Sequence, residues 1–201
     1  MSKSKLAGTR REILRNIAMS VTLGAMPLQA AQHVHQQAVQ QKKKAAGIYK
    51  STLFNAHEFE TLKRLTELII PADEISGSAL QAGAPEFIDL IGTHNVEIGH
   101  IMLGGLAWLD RYSNQKYNAD FIAATPEQQT GTLDLIAFRK NAQGDLRTAV
   151  RFFDWARRLT ADAFYTSPIG VKDLGYVGNK GMTTFQVPVA AIQYALKRSG
   201  L

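Results

Sequence analysis

The sequence predicts an all-α protein: a single compact multi-helix domain with an extended N-terminal leader and a loop-rich C-terminal segment. Three observations favour this class. Apolar residues recur at helical spacing between Phe59 and Phe164, and two segments open with helix-capping patterns. No run of residues alternates apolar and polar side chains as a half-buried strand does. We find no internal repeat, so the helices are expected to share one core.

The first predicted helix begins at Asn55, because asparagine is a favoured N-cap and Glu58 completes a capping box. Pro71 ends this helix, since proline cannot continue the hydrogen-bond ladder. Its apolar face repeats at i, i+3 and i+4 and consists of Phe59, Leu62, Leu65, Leu68 and Ile69.

Two further helices are expected between Pro85 and Leu109. Proline suits the first turn of a helix, so the second helix is expected to begin near Pro85, with Phe87 and Ile88 on its apolar face. A third, apolar-rich helix runs from about Glu97 to Leu109. The pattern leaves open whether it continues the second helix or is separate from it.

The last two predicted helices have the clearest signals. Thr125 is a cap residue, Pro126 takes the first helical position and Gln128 reaches back to the cap. Residues 145–164 form the longest helix, with a wide apolar stripe. Beyond Tyr165, serine, proline and closely spaced glycines predict loops.

The positive charge of the chain lies outside the predicted domain. The chain has 201 residues and a net charge of +6. Residues 1–31 carry five Lys/Arg and one Glu, and residues 32–44 carry three Lys, so residues 45–201 have a net charge of −1. Binding to nucleic-acid phosphates needs cations clustered on the folded surface. We therefore expect no nucleic-acid partner.

The chain has no cysteine. Disulfides, thiolate metal sites, iron–sulfur clusters and covalently attached c-type haem are therefore excluded. This composition permits an oxidising compartment without requiring one.

Residues 1–31 are typical of an export signal. Arg10 and Arg11 precede a modestly apolar stretch of about a dozen residues and a small-residue exit at Ala30 and Ala31. The paired arginines indicate the twin-arginine type, a route that carries proteins already folded. An amphipathic N-terminal helix that happens to contain two arginines is the alternative.

Residues 32–50 are rich in Gln, Ala and Lys, and we expect a polar linker or a frayed helix ahead of a helical domain at 51–201. His33 and His35 stand close together there, but no third ligand accompanies them, which argues against a metal site.

The domain offers few candidates for chemistry. Glu97 and His100 match the Glu-x-x-His spacing of di-iron bundles, yet such bundles need a second pair that this sequence lacks. Asp73 and Glu74 are adjacent on a turn, where capping or solvation explains them better than acid–base catalysis. Gly175, Gly178 and Gly181 do not have the dinucleotide-binding spacing and are more typical of a surface loop. For Trp108 and Trp155, core packing is favoured over a contact surface.

An ordered set of segments resembles the gluconate 2-dehydrogenase subunit 3 family. The resemblance spans about residues 53–181 and includes Leu65–Glu74, Gly83–Asp89, Thr125–Gln128, Phe152-Phe153, Phe164–Pro168 and Gly175–Gly178. No single segment is decisive, but their order together with a twin-arginine leader is specific.

The resemblance implies a small subunit of a periplasmic or membrane-associated dehydrogenase of sugars, polyols or aldonates. The partner is expected to be a large flavoprotein of the glucose–methanol–choline group that holds FAD and the catalytic histidines. A multihaem c-type cytochrome often accepts the electrons. The small subunit has no known catalytic residues in that family, so we expect no catalytic, cofactor-binding or metal-binding residue in this chain.

Our interpretation is a non-catalytic escort that carries its partner through the twin-arginine translocase to the periplasm and stabilises it there. Arg10 and Arg11 are the predicted export residues. The predicted partner contacts are Tyr165, Pro168, Tyr176 and Gly178. Two alternatives remain: a stand-alone ferritin-like metal-binding oxidoreductase, and a transient export chaperone absent from the mature complex.

Overall fold

The computed structural model describes residues 28–45, 47–175 and 187–199, and these residues contain eight α-helices and no strand. The all-α prediction is confirmed. The helices are α1 (Leu28–Lys44), α2 (Ala56–Ile69), α3 (Ala84–His94), α4 (Val96–Tyr117), α5 (Pro126–Ile136), α6 (Leu146–Thr166), α7 (Pro168–Asp173) and α8 (Val189–Ser199). Short 3-10 turns at Phe121–Ala123 and Arg139–Asn141 flank α5.

Helices α4 and α6, of 22 and 21 residues, pack against each other at the centre of the bundle. Helices α2, α3 and α5 pack around this pair, and α1 lies across α3 and α6. The apolar stripe predicted for α6 faces inward, since a helix of this amphipathic kind is stabilised by burying one face. Its buried apolar residues are Ala149, Val150, Phe152, Phe153, Ala156, Leu159, Ala163 and Phe164.

The predicted caps are confirmed. The Asn55 side chain accepts from the Glu58 N–H at 2.9 Å, and the Glu58 carboxylate accepts from the Asn55 N–H at 2.9 Å. Thr125 and Gln128 make the same reciprocal pair at α5. Each box satisfies two backbone donors that a helix start leaves without partners.

Asn95 separates α3 from α4, so the second and third predicted helices are two helices and not one continuous helix. Its backbone N–H caps the end of α3 on the Ile91 carbonyl at 2.8 Å. Its side chain accepts from the Ile98 N–H at 3.0 Å and starts α4. One residue thus ends one helix and begins the next.

The α4–α6 contact depends on a glycine. A Cβ atom placed on Gly105 would lie 1.9 Å from the buried ring of Phe152. The neighbouring Gly104 faces open space, with nothing within 4 Å of the same position. The two adjacent glycines therefore have different roles, one in packing and one on the surface.

Residues 32–50, for which the sequence left open a polar linker or a frayed helix, are mostly helical in the structure. Most of that segment is α1, which begins at Leu28, inside the predicted leader. Ala31, Val34 and Ala38 are buried against the core. The physical reason is that two alanines and one valine make a narrow apolar stripe, which the surrounding Gln and Lys residues mask in the average composition.

His35 attaches α1 to the far end of α6. Its imidazole Nε2 lies 3.0 Å from the Ala163 carbonyl, and its ring packs 5.1 Å from that of Phe87. Because the carbonyl only accepts, Nε2 carries the proton of this bond. Burial lowers the pKa of His35 below 6.5, and the bond to Ala163 and the charge of Glu86 oppose this effect.

Acid is therefore expected to weaken the folded state through His35. With a lowered folded pKa, the unfolded chain binds the extra proton first. The contribution of His35 to stability is fully present above pH 6.5, and it is lost as the pH drops from 6.5 through the lower pKa of the folded state. We expect His35→Gln to make the free energy of unfolding, measured with urea, depend less on pH in this range. One proton contributes a slope of at most about 1.4 kcal/mol per pH unit.

His57 is the control, because its contribution has the opposite sign. A hydrogen bond with Asp110 at 2.8 Å raises its pKa, so its stabilisation is present below pH 6.5 and is lost as the pH rises. His57→Gln is expected to leave the acid slope due to His35 in place. An unchanged acid slope in His35→Gln would contradict the assignment.

Candidate functional site

Two of the four predicted partner contacts lie on the described surface, at the junction of α6 and α7. Tyr165, on the last turn of α6, is 43% exposed, and its ring meets Phe164 edge-on at 5.1 Å. Pro168 is the first residue of α7 and is exposed. Tyr176 and Gly178 lie outside the described residues.

We expected a loop at this junction, and the structure has the short helix α7 instead. The Ser167 hydroxyl donates to the Phe164 carbonyl at 2.7 Å and accepts from the Gly170 N–H at 3.1 Å, which caps α7. Serine followed by proline signals a turn, but it is equally the N-cap and first position of a helix. Gly175 follows α7 with a φ of +59°, the conformation in which glycine is favoured.

The inner side of the junction serves the fold itself. Ser167 is completely buried, and a Cβ atom on Gly170 would lie 2.1 Å from the Phe164 carbonyl oxygen. The backbone is therefore fixed in place, while Tyr165 and Pro168 project from a rigid base. A pre-organised surface of this kind loses little conformational entropy when a partner binds.

Beside the junction lies a groove of about 870 Å³, which we call the α1–α7 groove. It is bounded by α1, the start of α3, and α7. Its lining includes Gln36, Val39, Lys42, Gly83, Glu86 and Pro168. The groove continues the exposed surface of Pro168 and is mixed in chemistry, with apolar side chains next to a charge pair.

The charge pair joins Lys42 of α1 to Glu86 of α3. The Lys42 ammonium lies 2.6 Å from one carboxylate oxygen, and the residue Glu86 is 6% exposed. The other oxygen has no hydrogen-bond partner within the described structure. Sequence reasoning missed this pair. Its only local signal is the position of Glu86 in the first turn of α3, where an acid stabilises the helix dipole.

Asp89, the last residue of the Gly83–Asp89 segment, is a second buried carboxylate. It is completely buried and accepts four hydrogen bonds from residues 49–53, which precede α2. The donors are Tyr49 Oη at 2.8 Å, Ser51 Oγ at 2.6 Å, Thr52 N–H at 3.1 Å and Leu53 N–H at 2.9 Å. Its lone pairs are therefore used to hold the chain to α3.

The other acidic candidates are also engaged in local structure. Glu97 pairs with Arg151 at 2.6 Å on the surface. Asp73 accepts from the N–H groups of Ile75 and Ser76, and these bonds lower its pKa. In the part of the chain that the structure describes, no three His, Asp or Glu side chains are grouped so that they could hold a metal ion.

The two tryptophans have different environments. Trp108 is buried and stacks on Tyr112 with ring centroids 5.0 Å apart. Trp155 is half-buried and lies under the Arg158 guanidinium at 5.1 Å. Core packing therefore describes Trp108, as the sequence favoured, whereas Trp155 is partly open at the surface.

Among the described residues, every helix is too short or too polar to cross a bilayer.

Comparison with known proteins agrees with the resemblance noted in the sequence. The family model described as gluconate 2-dehydrogenase subunit 3 matches residues 56–182, from the start of α2 to beyond α7. No curated protein and no solved structure matches the chain significantly. The match covers more than half of the chain and includes the α6–α7 junction, Glu86 and Asp89. On this finding, the chain belongs to the gluconate 2-dehydrogenase subunit 3 family.

Proposed function

We propose that this chain is the non-catalytic small subunit of a periplasmic FAD-dependent dehydrogenase of sugars, polyols or glycosides. In this proposal it escorts the large subunit through twin-arginine export and remains bound to it as a stabilising partner. The observation that carries the proposal is the family match, because the family is one of dehydrogenase-complex subunits. The leader with Arg10 and Arg11 supports the export step.

A non-catalytic role is supported by how the acidic side chains are used. Asp89 accepts four internal hydrogen bonds, Glu97 pairs with Arg151, and Asp73 binds its own turn. Acid–base catalysis needs a group within reach of a substrate and ready to exchange a proton. We therefore place the chemistry in the partner, a glucose–methanol–choline-type flavoprotein that holds the FAD.

The further assembly is also part of the proposal. A c-type cytochrome would accept electrons from the flavoprotein, and the small subunit would be associated with the membrane through the complex. The small subunit itself would hold no cofactor. This arrangement follows the resemblance and is consistent with the lack of cysteine, since c-type haem attaches through cysteine thiols.

The proposed contact surface is the α6–α7 junction and the adjoining α1–α7 groove. Tyr165 offers a half-exposed aromatic side chain of the type that anchors interfaces. A stable contact buries about 1,600 Å² in total, which is more than one aromatic side chain can supply. The groove extends the same surface and would provide the remaining area.

The export step is tested by the charge-conserving replacement of Arg10 and Arg11 with lysine. The twin-arginine route reads the paired arginines specifically, so a conserved charge does not rescue it. We expect the FAD-linked dehydrogenase activity of the periplasm to be lost and the flavoprotein to accumulate in the cytoplasm. Cell fractionation followed by a dye-linked activity assay measures both.

The matched control replaces an adjacent arginine pair on α6, the exposed Arg157 and the half-buried Arg158, with lysine in the same way. Export of the flavoprotein should continue in this control. Undiminished periplasmic flavoprotein in the leader variant would defeat the escort proposal. Recovery of the periplasmic flavoprotein free of the small subunit would instead favour the transient chaperone.

A further inference from the structure

Glu86 is a buried carboxylate on the wall of the α1–α7 groove, and one of its two oxygens has no partner. Its side chain is 8% exposed, and the Lys42 ammonium lies 2.6 Å from Oε1. Oε2 accepts no hydrogen bond from any described residue. An ionised carboxylate accepts at both oxygens, and a buried acceptor that stays unsatisfied is costly. Glu86 can therefore take one more donor than the described chain supplies.

The unpartnered oxygen lies beside Gly83, which also lines the groove. A Cβ atom placed on Gly83 would be 3.7 Å from Oε2, and no other side chain lies within 4 Å of that position. The groove of about 870 Å³ has the volume of a site that holds a whole ligand. Oε2 itself is closed to water, so a donor reaches it only when a neighbouring side chain moves.

Lys42 is the neighbour that can move. Its side chain is 40% exposed, and an ammonium on a flexible stem is readily hydrated when it turns outward. Glu86 lies inside the residues that the family model matches, whereas Lys42 precedes them. The matched domain thus provides the carboxylate, and its cation comes from a helix outside the match.

A guanidinium group fits this carboxylate better than the ammonium does. Lysine is a compact point charge, whereas arginine presents two parallel N–H groups that match the two oxygens of a carboxylate. The exchange of one cation for another also keeps the buried charge of Glu86 balanced. An incoming arginine would therefore satisfy Oε2 without leaving Oε1 unpaired.

Other ligands fit the site less well. Lys43 lies exposed at the same groove, but an anion there would meet the buried carboxylate of Glu86, with which Lys42 is already paired. A metal ion needs several grouped ligands, and no group of three His, Asp or Glu exists among the described residues. A neutral donor would make a weaker bond to Oε2 than a charged one.

We propose that Glu86 binds the guanidinium group of an arginine side chain, which a partner protein inserts into the α1–α7 groove in exchange for Lys42. In the free subunit Lys42 occupies the site, and in the complex it turns outward to water. That the partner is the flavoprotein rests on the proposed function, whereas the chemistry of the site does not. The site adds a specific requirement to the proposed contact surface, namely arginine and not lysine.

The test titrates the full chain with the N-acetyl amides of arginine, lysine and citrulline and follows binding by nuclear magnetic resonance. Citrulline has the shape of arginine without its charge. We expect Lys42→Met to bind the arginine probe about tenfold more tightly than wild type, because the competing ammonium is gone. The lysine probe should bind this variant less tightly, and the citrulline probe least. Adding Glu86→Gln should remove the preference for arginine.

Two further variants serve as controls. Lys63 and Glu60 also pair at 2.6 Å, but the Glu60 side chain is 55% exposed, so Lys63→Met should gain no arginine binding. Lys42→Arg supplies the guanidinium from within the chain, so it should fold and no longer bind the arginine probe. If Lys42→Met does not fold, this variant decides: the arginine probe must bind wild type and not Lys42→Arg.

Three results would overturn the arginine site: equal affinity for the three probes, a gain of arginine binding in Lys63→Met, or equal binding in wild type and Lys42→Arg. Citrulline binding as tight as arginine binding would assign Oε2 to a neutral donor instead. The titration uses the small subunit alone, so its failure leaves the escort proposal standing. Failure of the export test would in turn leave the arginine site standing.

Discussion

Replacing Asp89 with alanine is expected to destabilise the protein by about 3 kcal/mol or more. The carboxylate is completely buried and accepts from two hydroxyls and two backbone N–H groups. Alanine would remove the acceptor of all four donors, which are partly buried, and a donor left unsatisfied away from water costs about 1–3 kcal/mol. The midpoint of urea unfolding, followed by circular dichroism, measures the loss.

Two further variants define the cause. Asp89→Asn keeps the volume but offers one accepting oxygen and turns an NH₂ group toward donors, so an intermediate loss is expected. Asp134→Ala, at an exposed position of α5, removes a carboxylate that has no hydrogen bond or ion pair with any described residue, and it should change stability by less than about 0.5 kcal/mol. Equal midpoints for Asp89→Ala and Asp134→Ala would contradict the anchoring role.

A methyl group at Gly105 is expected to cost about 2–3 kcal/mol, because it would overpack the centre of the bundle. The added carbon would lie 1.9 Å from the Phe152 ring, whose nearest atoms are close to its own backbone and cannot swing away. Either α4 and α6 separate or the ring leaves its rotamer, and both weaken the core. Thermal or urea unfolding of Gly105→Ala measures the effect.

The adjacent residue supplies the matched control. Gly104→Ala makes the same chemical change one position away, where nothing lies within 4 Å. Alanine is a better helix former than glycine, so this variant should gain about 0.5–1 kcal/mol. The two neighbours are thus expected to move stability in opposite directions. A loss of stability in both variants would contradict the assignment of the packing role to Gly105 and of a surface role to Gly104.

The helices that the sequence predicted well are those with local signals. The capping boxes at Asn55 and Thr125 lie within four residues of sequence and mark where α2 and α5 begin. Pro71 marks the end of α2 by an equally local signal. The stripe of α6 is wide enough to be read from spacing alone. These features depend on neighbours along the chain, which is why one sequence suffices to find them.

Features that depend on distant residues were missed. Asp89 meets Tyr49 across 40 positions and His35 meets Ala163 across 128, so no local pattern reports them. The average composition of residues 32–50 does not reveal the apolar stripe of α1, because that stripe is mostly alanine, which has little apolar surface. The Ser-Pro pair at α7 predicts a turn and a helix start equally well, and only packing decides between them.

The candidate surface was predicted in part for the same reason. Tyr165 and Pro168 were expected at the surface and lie there, because aromatic and proline residues after a long stripe indicate chain that leaves the core. The α1–α7 groove beside them needs α1 to be in place, so it could not be inferred. The roles of Tyr176 and Gly178 remain predictions.

The position of α1 has a consequence for the order in which the chain matures. Helix α1 packs on α3 and α6. Ala163, whose carbonyl accepts the hydrogen bond from His35, is synthesised 128 residues after His35. Contacts at such a separation are slow to form, because the entropy of closing a long loop opposes them. Helix α1 is consequently expected to be among the last elements to pack in place. Because α1 directly follows the predicted leader, under the proposed export step its packing would mark a chain whose body is already folded.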